Sequence, residues 1–234
     1  MPVFPLGILS RGPAQALRRD GPVAQNWPAQ WAQPGYRARL AGAVAGLLSL
    51  LLVVHPFYRY VQARPGQLLA DPLLALLPVH DVSVATFVGI YGGIVATFVF
   101  LLPRPALLLR ALWAYYLLQL LRMATLWLLP LEPPPTMVSL HDPVMNLIFA
   151  VQGQPIVRDL FFSGHTATAT LLTLAVRGRH WRLGLGLLAA AVAVLVLVQR
   201  VHYTYDVLAA PLFAWLAYWA AGHVCQVGQP APVG

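Results

Sequence analysis

Long stretches without a charged residue constrain this sequence more than any other feature. Residues 82–102 contain no charged side chain, and the 234-residue chain is 59% hydrophobic and only 9% charged. A soluble domain carries roughly 25% charged residues, whereas a helix that crosses a bilayer needs about 20 mostly apolar residues. The composition therefore predicts an all-α, polytopic membrane protein. It argues against a disordered chain, a nucleic-acid-binding module and a soluble enzyme.

Six transmembrane helices are predicted, forming one six-helix domain at residues 40–224 with no internal repeat. The predicted spans are residues 40–58, 82–102, 105–129, 160–176, 183–199 and 205–224. The loop at residues 130–159 contains six prolines. Its apolar stretch at residues 144–151 is a candidate for re-entry into the membrane surface.

The two ends of the chain are predicted to be tails. Residues 1–39 are rich in arginine, proline, glycine and glutamine, and their apolar run at residues 6–9 is too short for the core of a secretory signal. We interpret them as a flexible basic tail, and residues 225–234 as a short C-terminal tail. The single cysteine, Cys225, excludes a disulfide framework.

The charges are distributed unevenly between the two sides of the predicted bundle. An even number of spans places both termini on one side, where ten of the fifteen basic residues lie with one acidic residue, Asp20. Four arginines and six acidic residues lie on the other side, and Arg122 lies within the third span. Because arginine accumulates in cytoplasmic loops, both termini are predicted to be cytoplasmic and the acidic side exoplasmic. This rule also explains the net charge of +8 without a nucleic-acid partner.

The first polar motif is SGHT, at the exoplasmic start of the fourth predicted span. Ser163 is a typical helix-capping residue, and Gly164 allows the backbone to bend. The unpaired N–H groups at such a helix start favour an anion. His165, placed there, is positioned to protonate a leaving oxygen, so Ser163 and Gly164 are predicted to contribute to a phosphate site.

The second polar motif is HYTYD, which leads into the sixth span. Residues four apart share a helix face, so Asp206 is predicted to hold the ring N–H of His202 and to raise its nucleophilicity. Ionisable groups at membrane depth are functional candidates by default.

Together the two motifs provide the groups required for phosphoryl transfer. His202 would attack phosphorus and form a phosphohistidine, while His165 would protonate the departing alcohol and later activate the acceptor. Cations must neutralise the phosphoryl oxygens, and the candidates are Arg122, Arg158 and Arg200. The expected substrate is a membrane lipid. The sequence calls for no cofactor or metal, and it leaves the oligomeric state open.

SGHT followed 37 residues later by HYTYD resembles the paired motifs of sphingomyelin synthases, which belong to the type 2 phosphatidic acid phosphatase superfamily. Residues 121–135 are also similar to the segment that runs from an arginine to LP-x-P in those enzymes. The resemblance implies six spans with cytoplasmic termini, His202 as nucleophile, Asp206 as its partner and His165 as acid and base. It implies no metal, and it favours headgroup transfer from a phosphodiester donor over hydrolysis with water as acceptor.

The chain departs from other members of that superfamily. Their lysine-arginine-proline motif is absent because the chain has no lysine, and the position six residues before His202 is Val196 rather than arginine. Phosphate binding is therefore expected to follow the sphingomyelin-synthase-like variant or to differ from both.

Other interpretations remain open on the sequence alone. His202 with Asp206, or His165 alone, is also compatible with a structural cap, and Arg122 with an ion pair to Glu132 or Asp159. A metal-dependent hydrolase would use His141 and the loop aspartates with the two motif histidines, but no metal-binding spacing supports it. An intramembrane serine protease would need glycine where Phe161 stands. A non-catalytic transporter or scaffold is the last alternative.

Overall fold

The computed structural model describes residues 26–140 and 156–226. The helices, in chain order, are α1 (Trp27–Trp31), α2 (Tyr36–Ala63), α3 (Pro72–Ala75), α4 (Ser83–Leu101), α5 (Pro105–Leu128), α6 (Gly164–Ala175), α7 (Arg179–Val198) and α8 (Thr204–Gln226). This part of the chain contains no strand beyond an isolated bridge between Gln67 and Leu131. The prediction of an all-α chain is therefore confirmed for the described residues.

Five of the described helices are long and apolar enough to cross a membrane: α2, α4, α5, α7 and α8. The span predicted at residues 160–176 corresponds to α6, which has 12 residues. At 1.5 Å per residue, α6 is only about 18 Å long. Residues 160–162 are apolar, but they lie in the non-helical segment before α6. The predicted total of six spans is therefore not confirmed.

The centre of the bundle is formed where α8 packs against α5 and α6. Four alanines of α8 have no exposed surface, and these are Ala210, Ala214, Ala217 and Ala221. Small side chains let membrane helices approach closely, and the four alanines form one buried cluster with Leu118 of α5 and Leu171 of α6. Helix α6 is surrounded by α4, α5, α7 and α8, whereas α2 packs at the periphery against α5.

The helices alternate in direction, so the bundle has two distinct ends. The histidine end holds the N-termini of α4, α6 and α8, and the arginine end holds the start of α2 and the turn between α4 and α5. All five acidic residues in the described part of the chain lie at the histidine end: Asp71, Asp81, Glu132, Asp159 and Asp206. Seven described arginines lie towards the arginine end: Arg37, Arg39, Arg104, Arg110, Arg177, Arg179 and Arg182.

Several predicted segments fall outside the described residues. These are residues 1–25 of the tail, residues 227–234 at the other end, and residues 141–155, which include His141 and the stretch at 144–151. The described remainder of the predicted tail, residues 26–39, holds α1 and the first turn of α2.

Candidate functional site

The SGHT motif forms the start of α6. Ser163 is the N-cap: its Oγ accepts a hydrogen bond from the Thr166 N–H at 3.4 Å, and its hydroxyl donates to Thr166 Oγ1 at 3.1 Å. The Ser163 side chain is fully buried, and His165 is half-buried in the first turn of α6. This cap places His165 in the first turn of α6, at the positive end of the helix dipole, where an anion is favoured.

His202 and Asp206 meet at the start of α8. The Nδ1 atom of His202 lies 3.5 Å from Asp206 Oδ2, and both residues are almost completely buried. The same Oδ2 accepts a hydrogen bond from the Tyr203 N–H at 2.9 Å. Asp206 is therefore both the carboxylate beside His202 and a cap of α8. His202 precedes the helix, so the contact comes from the capping turn and not from a shared helix face.

The two motifs are held together. The Ser163 N–H donates to the Asp206 carbonyl oxygen at 3.1 Å, which joins the start of α6 to the start of α8. The rings of His165 and His202 have centroids 6.1 Å apart and planes inclined at 63°. One phosphoryl group is thus within reach of both imidazoles. The Asp206 carboxylate faces Nδ1 of His202 and leaves Nε2 as the nitrogen available for chemistry.

Arg122 of α5 lies directly against the SGHT turn. Its guanidinium donates to the carbonyl oxygens of Phe162 and Asp159. A Cβ atom at Gly164 would lie 2.6 Å from Arg122 Cζ, closer than atoms can approach. From the sequence we expect glycine at this position because the backbone bends there. The φ of Gly164 is not in the left-handed region, however. The structure indicates that glycine is needed here because the guanidinium occupies the space of a side chain.

Asp159 pairs with Arg122, one of the two acidic partners that the sequence offers as alternatives. The distance from Arg122 Nη2 to Asp159 Oδ1 is 2.6 Å, and the hydroxyl of Tyr58 in α2 donates to the same oxygen at 3.2 Å. Burial alone would raise the pKa of Asp159, but the charge of Arg122 and its hydrogen bond, with smaller contributions from His202 and His165, lower it. Asp159 therefore carries a negative charge at neutral pH.

Arg158 and Arg200 make their described contacts with residues other than the histidines. Arg158 forms a two-pronged ion pair with Glu132, with its Nη2 and Nε atoms 2.9 and 3.0 Å from the two carboxylate oxygens. Arg200 donates to the Leu77 carbonyl oxygen at 3.0 Å and to the hydroxyl of Thr136. The described contacts of Arg158 thus join the segment before α6 to Glu132 and to the Gln62 carbonyl oxygen of α2, and those of Arg200 join loop segments at the histidine end.

Two contacts of the site lie outside the residues that the sequence singles out. Asp71 accepts hydrogen bonds from the N–H and the hydroxyl of Thr204, at 2.6 and 3.2 Å, and so holds the start of α8. The ring of Phe87 in α4 lies against that of His165, with centroids 5.9 Å apart. Neither contact can be predicted from a short motif. Asp71 is 133 residues from Thr204, and Phe87 lies in α4 whereas His165 lies in α6.

The described residues contain no group of three or more histidine, cysteine, aspartate or glutamate side chains arranged to hold a metal ion. His141 and Asp142, which the metal-dependent alternative would need, lie outside the described residues.

The fold and the site together describe an integral membrane protein of apolar helices in which two histidines, a carboxylate and an arginine meet at one end. Residues 158–223 match the family described as PAP2 superfamily C-terminal, and this stretch contains both histidine motifs. The match supports a relationship to the PAP2 superfamily and suggests lipid phosphatase or phosphotransfer activity. No curated protein and no solved structure matches the chain significantly.

Proposed function

We propose that this protein is a membrane lipid phosphotransferase that works through a phosphohistidine on His202, with its site on the exoplasmic face. The observation that carries the proposal is the pairing of two histidine rings 6.1 Å apart, one of them backed by Asp206. The match to the PAP2 superfamily supports the same chemistry.

The proposed reaction has two steps. First, Nε2 of His202 attacks the phosphorus of the lipid, the bond from phosphorus to the leaving oxygen breaks, and His165 gives its proton to that oxygen. Second, His165 removes the proton from an acceptor hydroxyl, the acceptor oxygen attacks the phosphohistidine, and the P–N bond breaks to restore His202. Asp206 stabilises the imidazolium character that His202 gains. Arg122 and the N–H groups of α6 face the phosphoryl oxygens.

The balance of charge supports a phosphodiester donor. In the part of the chain that the structure describes, the charge of Arg122 is compensated by Asp159, and Asp206 adds a further carboxylate beside His202. A phosphodiester brings one negative charge to this site, whereas a phosphomonoester brings nearly two near neutral pH. This supports headgroup transfer of the sphingomyelin-synthase-like kind, with the lipid phosphate phosphatase as the second candidate.

The topology is part of the proposal. Seven described arginines lie towards the arginine end, and five arginines and five acidic residues lie at the histidine end. Under the positive-inside rule this supports a cytoplasmic arginine end and cytoplasmic termini.

The experiment that tests the function compares substrates in purified protein reconstituted in lipid. Wild type, His202→Ala and the control His223→Ala receive phosphatidic acid, or phosphatidylcholine with ceramide, and products are read by mass spectrometry. A ceramide phosphodiester made by wild type and the control alone supports transfer. Inorganic phosphate released by those two alone supports the phosphatase. Equal products from all three proteins would contradict both and leave a non-catalytic role.

Replacing Asp206 with asparagine separates its two roles. The amide oxygen of Asp206→Asn can still accept the Tyr203 N–H, so α8 and the melting temperature should be preserved, while the negative charge beside His202 is lost. We expect kcat to fall by about 10³- to 10⁴-fold, as for the corresponding change in a serine-protease triad. Full activity together with a normal melting temperature would show that Asp206 is a helix cap only.

Variants of the Arg122–Asp159 ion pair can distinguish its effect on the stability of the fold from the binding of the phosphoryl group by Arg122. Asp159→Leu leaves a buried guanidinium without its counter-charge, so the free energy of unfolding should fall by about 3–5 kcal/mol. The double variant Arg122→Met with Asp159→Leu should recover most of that stability but remain inactive, because the phosphoryl group has lost its cation. Melting curves and initial rates check both expectations, and an active double variant would contradict the role of Arg122.

The pH dependence of this pair follows from the lowered pKa of Asp159. A carboxylate whose pKa is lower in the folded state stabilises the fold above its unfolded pKa, about 3.9. That stabilisation should be complete at neutral pH and disappear as the pH falls through the lowered value. In Asp159→Leu this component of acid destabilisation should be absent.

A further inference from the structure

The arginine end carries an open cavity, distant from the histidines, that the proposed reaction does not use. The cavity has a volume of about 360 Å³ and is lined by Trp27, Pro28, Trp31, Ala32 and Arg37. Four of these residues lie in α1 or directly after it, and Arg37 lies at the start of α2. The cavity therefore lies before the first long helix, beside the turn that joins α4 to α5.

Two hydrogen bonds place this cavity at the level of the helix ends. The indole N–H of Trp27 donates to the Leu102 carbonyl oxygen at 2.8 Å, and the hydroxyl of Tyr36 donates to the Pro105 carbonyl oxygen at 3.3 Å. Leu102 and Pro105 flank the turn between two apolar helices. Because tryptophan concentrates at the boundary between hydrocarbon and headgroups, the position of Trp27 and Trp31 at the helix ends favours a lipid headgroup as the neighbour of the cavity.

The cavity combines apolar walls with one accessible cation. Trp31 is 45% exposed, and the guanidinium of the exposed Arg37 lies 5.3 Å from the centre of its ring. Arg37 Nε donates to the Trp31 carbonyl oxygen at 3.3 Å, which holds the guanidinium at the cavity while leaving its Nη atoms outside that hydrogen bond. An arginine held in this way is suited to a phosphate group.

Charge complementarity identifies the occupant. The described residues at the arginine end include seven arginines and no carboxylate, so an anionic group is attracted there. We propose that this cavity binds the headgroup of an anionic phospholipid, with its phosphate on Arg37 and its glycerol region against Trp27 and Trp31. Arginine-rich surfaces also attract anionic leaflets electrostatically. The proposed site differs from such a surface because one arginine and one cavity bind one lipid.

The test measures lipid retained by the full-length protein in native mass spectrometry. Phosphatidylglycerol and phosphatidylcholine with identical acyl chains are offered at equal concentration to wild type, Arg37→Gln, Trp31→Ala and the control Arg179→Gln. Arg179 is an exposed arginine at the same end, so the control loses the same charge. Arg37 is also exposed, so neither arginine substitution should disturb the fold.

We expect wild type and Arg179→Gln to retain one phosphatidylglycerol in preference to phosphatidylcholine. Arg37→Gln should weaken that retention about tenfold or more, as the loss of a charge-assisted hydrogen bond requires, and Trp31→Ala should weaken retention of both lipids. Equal weakening by the two arginine substitutions would mean a diffuse positive surface and overturn the site. A wild type without preference for phosphatidylglycerol would also overturn it. Turnover at His202 is not involved, so failure here leaves the proposed function untouched.

Discussion

Replacing His202 with alanine is expected to lower kcat by about 10⁴-fold or more, the loss seen when a nucleophile is removed from a group of residues that act as a unit. His202 has the fully buried carboxylate of Asp206 beside its Nδ1 atom, which prepares it to act as the nucleophile. The rate is measured on reconstituted protein with the lipid donor that wild type prefers.

The control for this prediction is His223→Ala. His223 lies in the last turn of α8, at the arginine end, with its ring against Trp219. It should keep the wild-type rate and show that loss of a histidine is not harmful in itself. A His202→Ala protein that folds normally and retains more than about a tenth of the wild-type rate would contradict a phosphohistidine mechanism.

Replacing Gly164 with alanine is the second change with a large expected effect. The added Cβ would meet Arg122 Cζ at 2.6 Å and the Nε and Nη1 atoms at 2.9 Å, so the guanidinium must move away from the SGHT turn. A displacement of about 1 Å in a binding group can cost about 10²-fold in rate. We therefore expect initial rates about 10²-fold lower, with a smaller effect on the melting temperature.

Gly92 in α4 is the matched control. A Cβ at Gly92 would have no neighbour within 4 Å. Alanine there should leave the rate unchanged, and it favours the helix by roughly 0.5–1 kcal/mol. If Gly164→Ala and Gly92→Ala were equally active, the close approach of Arg122 to the SGHT turn would not contribute to catalysis.

The long helices are predictable from the sequence because an uncharged run of about 20 residues has few alternatives to a membrane helix. The apolar side chains at residues 160–162 wrongly predict that the membrane helix already begins there. Leu160 and Phe162 are apolar and buried, yet they lie in the non-helical segment that brings Asp159 to Arg122. Apolar residues indicate burial, but they do not distinguish a helix from a packed loop. The predicted span is therefore longer than α6.

The local parts of the candidate site follow from sequence motifs, whereas its ion pairs do not. The Ser163 cap and the proximity of Asp206 to His202 depend on residues at most four apart, and both are present in the structure. The partners of Arg122, Arg158 and Arg200 depend instead on how distant loops fold. Arg158 meets Glu132, and Arg200 meets Thr136, across segments whose packing no local pattern encodes.

The central claim is a covalent phosphohistidine on His202, and trapping it is the most direct measurement. Protein in lipid is mixed for milliseconds with a donor labelled at phosphorus, quenched in alkali and digested, and the labelled peptide is sequenced by mass spectrometry. We expect an alkali-stable, acid-labile label on the peptide containing His202, absent in His202→Ala and formed more slowly in His165→Ala, which lacks the acid of the first step. Turnover by wild type without label on His202 at any time would contradict a covalent phosphohistidine.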